Sequence, residues 1–294
     1  MMYYHTNMSK YKIYLKGIDY YSPQEESTLL LRGKRKKRLV LLPSGKSAIL
    51  KIRDRTNKSE DCSEKIASEL AKILKYNCAQ VELAKTSNGQ KACLSILFTD
   101  TKNNISLIEA GDILPIQSKK DYKIRAILEL LEENGAEILN GFIKQMIFDA
   151  LIGEQDRHWQ NWGFILKDRT KTFAPFYDNS DSLMSEYCNR DSDLCKFDKD
   201  KSSPQFESYI NRSRMAIYNK EGKHFKSFEM VNYLLTKYPK QLKKDALALN
   251  SLTKYRVAKI VHNIPDIYLT DIHKNYIIKY ILRRLEILRG IIYE

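Results

Sequence analysis

"GEQDRHWQNWGF", residues 153–164, sets an Asp, an Arg-His pair and an Asn five positions after that Asp into an aromatic-rich frame. It follows "AEILNGFIKQMIFDALI", which reads as an apolar helix, so Asp156 and Asn161 fall in a loop just past a helix end. Beyond it, "WGFILKD" and "KTFAPFYD" read as two short strands around a polar turn, with Asp178 closing the second. Two antiparallel strands joined by a turn bring their ends together. Asn161, before the first strand, and Asp178, at the end of the second, are therefore expected to face one site. An Asp, Asn, Asp set suits phosphoryl transfer. Hard oxygen ligands hold the magnesium that neutralises phosphate charge, and a carboxylate orients and deprotonates the attacking hydroxyl. Asp156 is the expected base. Asn161 and Asp178 are the expected magnesium ligands.

Such chemistry also needs a strand lysine for the nucleotide phosphates and a helix glutamate to hold it. "SAILKI" carries Lys51 inside an otherwise apolar strand, where an unpaired ammonium would be costly. The next segment, "SEDCSEKIASELAKILKYN", repeats Ile66, Ala67, Leu70, Ile73 and Leu74 at helical spacing. It offers Glu64 and Glu69. Glu64 borders the Ala67 and Ala71 side of the apolar face, whereas Glu69 sits with Lys65, Ser68 and Lys72, so the facing argument prefers Glu64. Each feature alone is weak. Asp-x-x-x-x-Asn is common, and a lone Lys51 could face outward from an edge strand. His158 alone reads as a structural histidine, Arg157 as an ion-pair partner, and Trp159 and Trp162 as packing residues. The weight lies in the order: hairpin Lys, helix Glu, loop Asp and Asn, then strand-terminal Asp.

The chain is expected to fold as α+β, in a bilobal kinase-like arrangement. Residues 1–100 read as a small β-rich lobe, with strands in "STLLLRG", "RLVLL", "SAILKI" and the hairpin turned at Asn88-Gly89. "YKIYLKGIDYY" reads as an edge strand or an arm. Residues 101–294 read as a larger helical lobe, and the polar stretch Thr99 to Ser118 as the linker. Asp191 to Ser203 lacks the central Gly and closing Glu of a calcium loop and reads as a mobile loop. Ile96, Leu97 and Phe98 sit where the lobes join and are candidates for an apolar adenine pocket.

"DALIGEQDRHWQNWGFIL" followed by "FAPFYDNSDSL" resembles the C-terminal lobe signature of HipA-like kinases, and "SAILKI…SEKIASELAKIL…LSILF" looks like the same family's N-lobe. The resemblance spans residues 27–185. A weaker likeness extends to phosphoinositide kinases. The resemblance implies ATP bound between the lobes, with Asp156 as base, Asn161 and Asp178 on magnesium and Lys51 on the nucleotide. It also implies a Ser/Thr protein kinase able to autophosphorylate. Some family members are toxins paired with a small DNA-binding antitoxin, which phosphorylate an aminoacyl-tRNA synthetase; others are effectors delivered into host cells. The chain resembles the compact forms. It departs from the signature in having Gly153-Glu154 for Gly-Asn, and in lacking a glycine-rich phosphate loop. Only Gly33, in "RGKRKKR", stands where such a loop would form. Gly33 and Lys34 are the candidate phosphate contacts there, although the run as a whole reads as a solvated turn. Ser22, Ser27 and Thr28 precede it as candidate phosphorylation sites.

The net charge of +14, from 50 Lys+Arg against 36 Asp+Glu, favours anionic partners without choosing among them. The five cysteines make no C-x-x-C pair and have no His at zinc spacing, which argues against a zinc site and points to reduced thiols. No signal-peptide pattern and no long apolar run is present, so a cytoplasmic protein without a membrane span is expected, with effector delivery left open by the resemblance. Two rival readings remain at this level: a lipid or small-molecule kinase, and a pseudokinase or binding module acting through its basic surface, with direct nucleic-acid binding the less favoured partner call.

Overall fold

The structure, a computed structural model, describes residues 17–18, 37–42, 44–53, 58–86, 89–198 and 204–293. Gly33, Lys34, the strand read in "STLLLRG" and the serines and threonine before the basic run lie outside the described residues. Alternation shapes the first sheet. β1 (Gly17–Ile18), β2 (Lys37–Leu41), β3 (Ser47–Ile52), β4 (Val81–Thr86) and β5 (Lys91–Ile96) line up in the order β1-β4-β5-β3-β2. All pairs are antiparallel except β1 with β4. Val40, Ala48, Leu50, Ala84, Ala92 and Leu94 form a small apolar core on one face. By the two-residue period, Lys51 and Leu83 point to the other face. That face receives α1 (Glu60–Leu74), whose Ile66, Ala67, Leu70 and Ala71 are fully buried.

The rest of the chain is mainly helical. β6 (Ile105–Glu109), β7 (Gly163–Lys167) and β8 (Thr170–Phe173) form an antiparallel sheet. Between β6 and β7 run α2 (Ile124–Glu133) and α3 (Ala136–Ile152). After β8 come the single turn α4 (Asp191–Leu194), α5 (Pro204–Asn211), β9 (Arg214–Tyr218), β10 (His224–Lys226), α6 (Ser227–Lys237), α7 (Pro239–Ala246), α8 (Lys254–His262) and α9 (Asp271–Tyr293). α3 is apolar around most of its circumference, as befits a helix enclosed on all sides. Phe142, Ile143, Met146, Ile147 and Phe148 are fully buried among α2, α6, α7 and α9. No helix among the described residues is long and apolar enough to cross a membrane, and all five cysteines are free thiols.

Three sequence expectations need correction. Thr99 to Ser118 is not a bare linker, because its middle forms β6 and pairs with β7 from Ile105–Lys167 to Glu109–Gly163. That pairing explains the glycine of "NWGF": a Cβ at Gly163 would lie 2.1 Å from the Ile108 carbonyl oxygen. Asp178 does not close a strand. β8 ends at Phe173, and Asp178 stands beyond it with φ +54°. Finally, 191–198 is helical rather than loop, as α4 and a following 3-10 turn.

Candidate active site

The site is assembled where the first sheet and α1 meet the loops after α3 and β8. Lys37 on β2, Lys51 on β3 and Cys93 on β5 lie directly across from one another. Two lysines opposite each other would repel, but both reach one carboxylate. Lys51 Nζ lies 3.1 Å from Asp178 Oδ1, and Lys37 Nζ lies 3.4 Å from Asp178 Oδ2. Lys51 also pairs with Glu64 Oε1. Burial alone would lower the Lys51 pKa; Asp178 and Glu64 outweigh it and raise it, so the ammonium stays charged. Glu64 is 1% exposed, and its second oxygen accepts the Asn179 backbone N–H at 3.3 Å. Glu69 is engaged elsewhere, by Lys65 at 2.8 Å and Lys72 at 2.7 Å.

The loop after α3 has its own supports. Gly153 ends the helix with φ +72°, and a Cβ there would come 2.0 Å from the Tyr280 hydroxyl. Glu154, the departure from the Gly-Asn pattern, is fully buried and accepts the Asp156 N–H at 2.8 Å through Oε1. Burial pushes its carboxyl pKa well above the ordinary value, and nearby Arg157 only partly opposes that. The Asp156 side chain is 54% exposed. Its backbone carbonyl accepts the Asn161 Nδ2–H at 2.8 Å, so the Asn161 side chain closes the loop on itself. His158 takes the Gln160 N–H on Nδ1 at 3.1 Å and leaves Nε2 3.8 Å from Asp156 Oδ2, beyond a hydrogen bond. Burial lowers the His158 pKa, with Asp156 opposing.

Arg157 ties these parts together. It is fully buried and faces Asp149 of α3 as a fork, with Nε and Nη2 each 2.9 Å from a carboxylate oxygen. Nη1 donates to the Asn161 carbonyl at 2.7 Å and to the Tyr177 carbonyl at 2.6 Å. Nη2 also donates to Asn179 Oδ1 at 2.7 Å. One guanidinium thus holds the Asn161 loop and the residues on both sides of Asp178. A planar donor fork can do this; a lysine cannot. Around it, Trp162 Nε1 donates to the Tyr122 hydroxyl at 2.6 Å, and Tyr122 donates to the Arg157 carbonyl at 3.2 Å.

The family model of the HipA-like C-terminal domain matches residues 29–264. The chain belongs to the HipA-like C-terminal domain family. Its fold is that of HipA-like kinases. The Helicobacter pylori proinflammatory kinase CtkA superimposes with a TM-score of 0.74 at 18% identity, over 90% of this chain and 94% of that one. A chain from the Shewanella oneidensis MR-1 toxin–antitoxin complex of HipA, HipB and operator DNA superimposes with a TM-score of 0.58 at 13% identity, over 89% of this chain and 65% of that one. No curated protein sequence matches the chain.

Within this HipA-like fold the structure brings Lys51, Glu64 and Asp178 into contact, and links Asp156 to Asn161 through the loop. Ile96, Leu97 and Phe98 extend from the end of β5, where Leu97 N–H bonds the Ser47 carbonyl at 3.0 Å and the Phe98 ring lies 5.6 Å from that of Tyr177. Sequence reasoning missed Lys37, Asp149, Asn179 and Tyr177. A signal existed for Asp149, an acid inside an otherwise apolar helix, and for Lys37, which pairs with Lys51 once the hairpin is registered. Among the described residues no group of three or more His, Cys, Asp and Glu forms a ready metal cage. The donors present nevertheless fit magnesium, which takes one or two protein oxygens and completes its shell with water and phosphate. Asn161 spends its amide N–H inward, which leaves Oδ1 as its outward donor atom, and the Asp178 carboxylate accepts from Lys37, Lys51 and the Ser180 hydroxyl.

Proposed function

We propose that this protein is an ATP- and magnesium-dependent Ser/Thr protein kinase. The observation that carries the reading is the Lys51–Glu64–Asp178 cluster, built on an Arg157 clamp that also holds the Asp156 and Asn161 loop. Membership in the HipA-like family supports phosphotransfer as the activity. Asp156 orients the acceptor hydroxyl and takes its proton. Lys51 steadies the nucleotide phosphates, and Glu64 keeps Lys51 aimed. Asn161 and Asp178 would hold magnesium, whose chemistry is to neutralise charge on the transferring phosphoryl group. Ile96, Leu97 and Phe98 would border the adenine. Lys37 adds a second cation beside Asp178. Residues 1–100 and 101–294 act as two lobes of one kinase domain, in the cytoplasm of the cell that makes it. The fold shared with a chain of the HipA–HipB–DNA complex supports a small DNA-binding protein as a candidate partner.

The test is transfer of radiolabelled phosphate from ATP, with magnesium, to the protein itself and to a cell lysate. Asp178→Ala should cut labelling by about a hundredfold or more while circular dichroism shows an intact fold. Equal labelling by wild type and variant would overturn the assignment. Labelled lysate bands on hydroxyl side chains would separate a protein acceptor from a lipid or small molecule.

A further inference from the structure

One residue from the proposed base, the surface opens into a cleft of about 430 Å³ lined by Lys58, Gln155, Asp181, Glu186, Arg212 and Arg214. Gln155 is the chain neighbour of Asp156, so the cleft begins within about 3.8 Å of backbone from it. The walls are ordered by local bonds. The Gln155 N–H donates to the Asp181 carbonyl at 3.2 Å. Lys58 lies 3.4 Å from the Asp181 carboxylate. Arg212 lies 3.3 Å from Glu186, stacks over the Tyr209 ring at 4.3 Å, and shares Glu186 with the Tyr209 hydroxyl.

The charges do not cancel. Among the described residues, three cations line the cleft against two carboxylates, and each carboxylate already has its own cation. The remaining cation is Arg214, exposed at the start of β9 and without an ion-pair partner among the described residues. An open, polar, net-positive cleft with one unmatched guanidinium suits a carboxylate, which a guanidinium grips with two parallel hydrogen bonds. Through Gln155 the cleft adjoins the loop of Asp156, where an acceptor segment would lie. We propose that this cleft is an acceptor-side subsite, in which Arg214 selects protein segments carrying an Asp or Glu close in sequence to the phosphorylated hydroxyl. The proposal rests on the kinase reading above and names its substrate class.

The experiment uses the full chain and a randomised peptide library with one central Ser or Thr, followed by matched peptides that differ only by Glu against Gln near it. Wild type should favour the Glu peptide in kcat/KM by about fivefold, the value of a partly exposed charge pair. Arg214→Gln should bring that ratio towards one, and Arg214→Glu should shift preference to peptides with Lys at the same place. A wild-type ratio of one, or a preference that Arg214→Glu leaves in place, overturns the proposal. If no peptide is phosphorylated by wild type, the kinase reading is what fails. Fluorescence anisotropy with the same peptides then decides the cleft separately: binding that prefers Glu and loses the preference in Arg214→Gln retains it, and binding blind to the charge ends it.

Discussion

Glu64 and Glu69 stand on the same helix, about 140° apart around its axis, and are bound into different networks. Glu64 faces Lys51 of the sheet and the Asn179 N–H of the loop after β8, so it spans the two lobes. Glu69 faces Lys65 and Lys72 of its own helix, and Lys65 continues to Glu82 of β4. Every partner in the second network belongs to the N-lobe. Residue type does not separate the two glutamates, nor does burial, since both are buried. What separates them is which element passes in front of each. An ion pair inside one lobe holds a fold; an ion pair across two lobes also sets the distance between the groups each lobe contributes.

The comparison can be broken at several points. The largest effect should come from behind the Glu64 side. Arg157 contacts Asn179, which contacts Glu64, and its removal strands the fully buried Asp149. Arg157→Met should destabilise the protein by about 3–5 kcal/mol in urea unfolding. A loss below 1 kcal/mol would mean that the clamp is ornamental. Next, Glu64→Gln should lower phosphate transfer by roughly ten- to a hundredfold, the usual scale for a residue that orients a reacting group. Glu69→Gln should leave transfer within about twofold. Equal effects on transfer would erase the distinction between the two glutamates.

A smaller effect sharpens the contrast from the other side. Glu69→Gln should cost about 1 kcal/mol of stability, because Lys65 keeps Glu82 and the Val81 carbonyl as partners. That cost should depend on pH. Burial alone would raise the Glu69 pKa; Lys65 and Lys72 outweigh it and hold the carboxyl below its ordinary 4.5. The folded chain therefore binds fewer protons at this group than the unfolded chain does. Its stabilisation is present above 4.5 and fades as pH falls through the lower folded value. Unfolding curves at neutral pH and well below 4.5 should show the wild-type advantage over Glu69→Gln shrinking on acidification.

Much of the candidate site was legible because its signals are local. Asp156 and Asn161 lie in one short loop, the α1 face follows from a 3.6-residue repeat, and the choice of Glu64 over Glu69 follows from which side of that repeat each occupies. The N-lobe hairpins announced themselves by alternation and turn residues. What stayed hidden depends on partners distant in sequence. β6 reads as polar linker because four of its five residues are half-buried and Ser106 is exposed, and it gains regularity only from β7, more than fifty positions later. Lys37 reads as one of many lysines in a charge run until the β2–β3 register sets it opposite Lys51. Arg157 was legible as an ion-pair partner, but not as a four-way clamp, because three of its acceptors are backbone carbonyls or an amide with no sequence signature.

Gly153 carries the last consequence. Any other residue there must both hold φ near +72° and displace the Tyr280 hydroxyl, which Arg284 reaches at 3.2 Å from within α9. Positions 153 and 280, far apart in the sequence, thus share one volume. Shortening the side chain at 280 would remove the clash but not the left-handed backbone, so a residue other than glycine at 153 needs both constraints met.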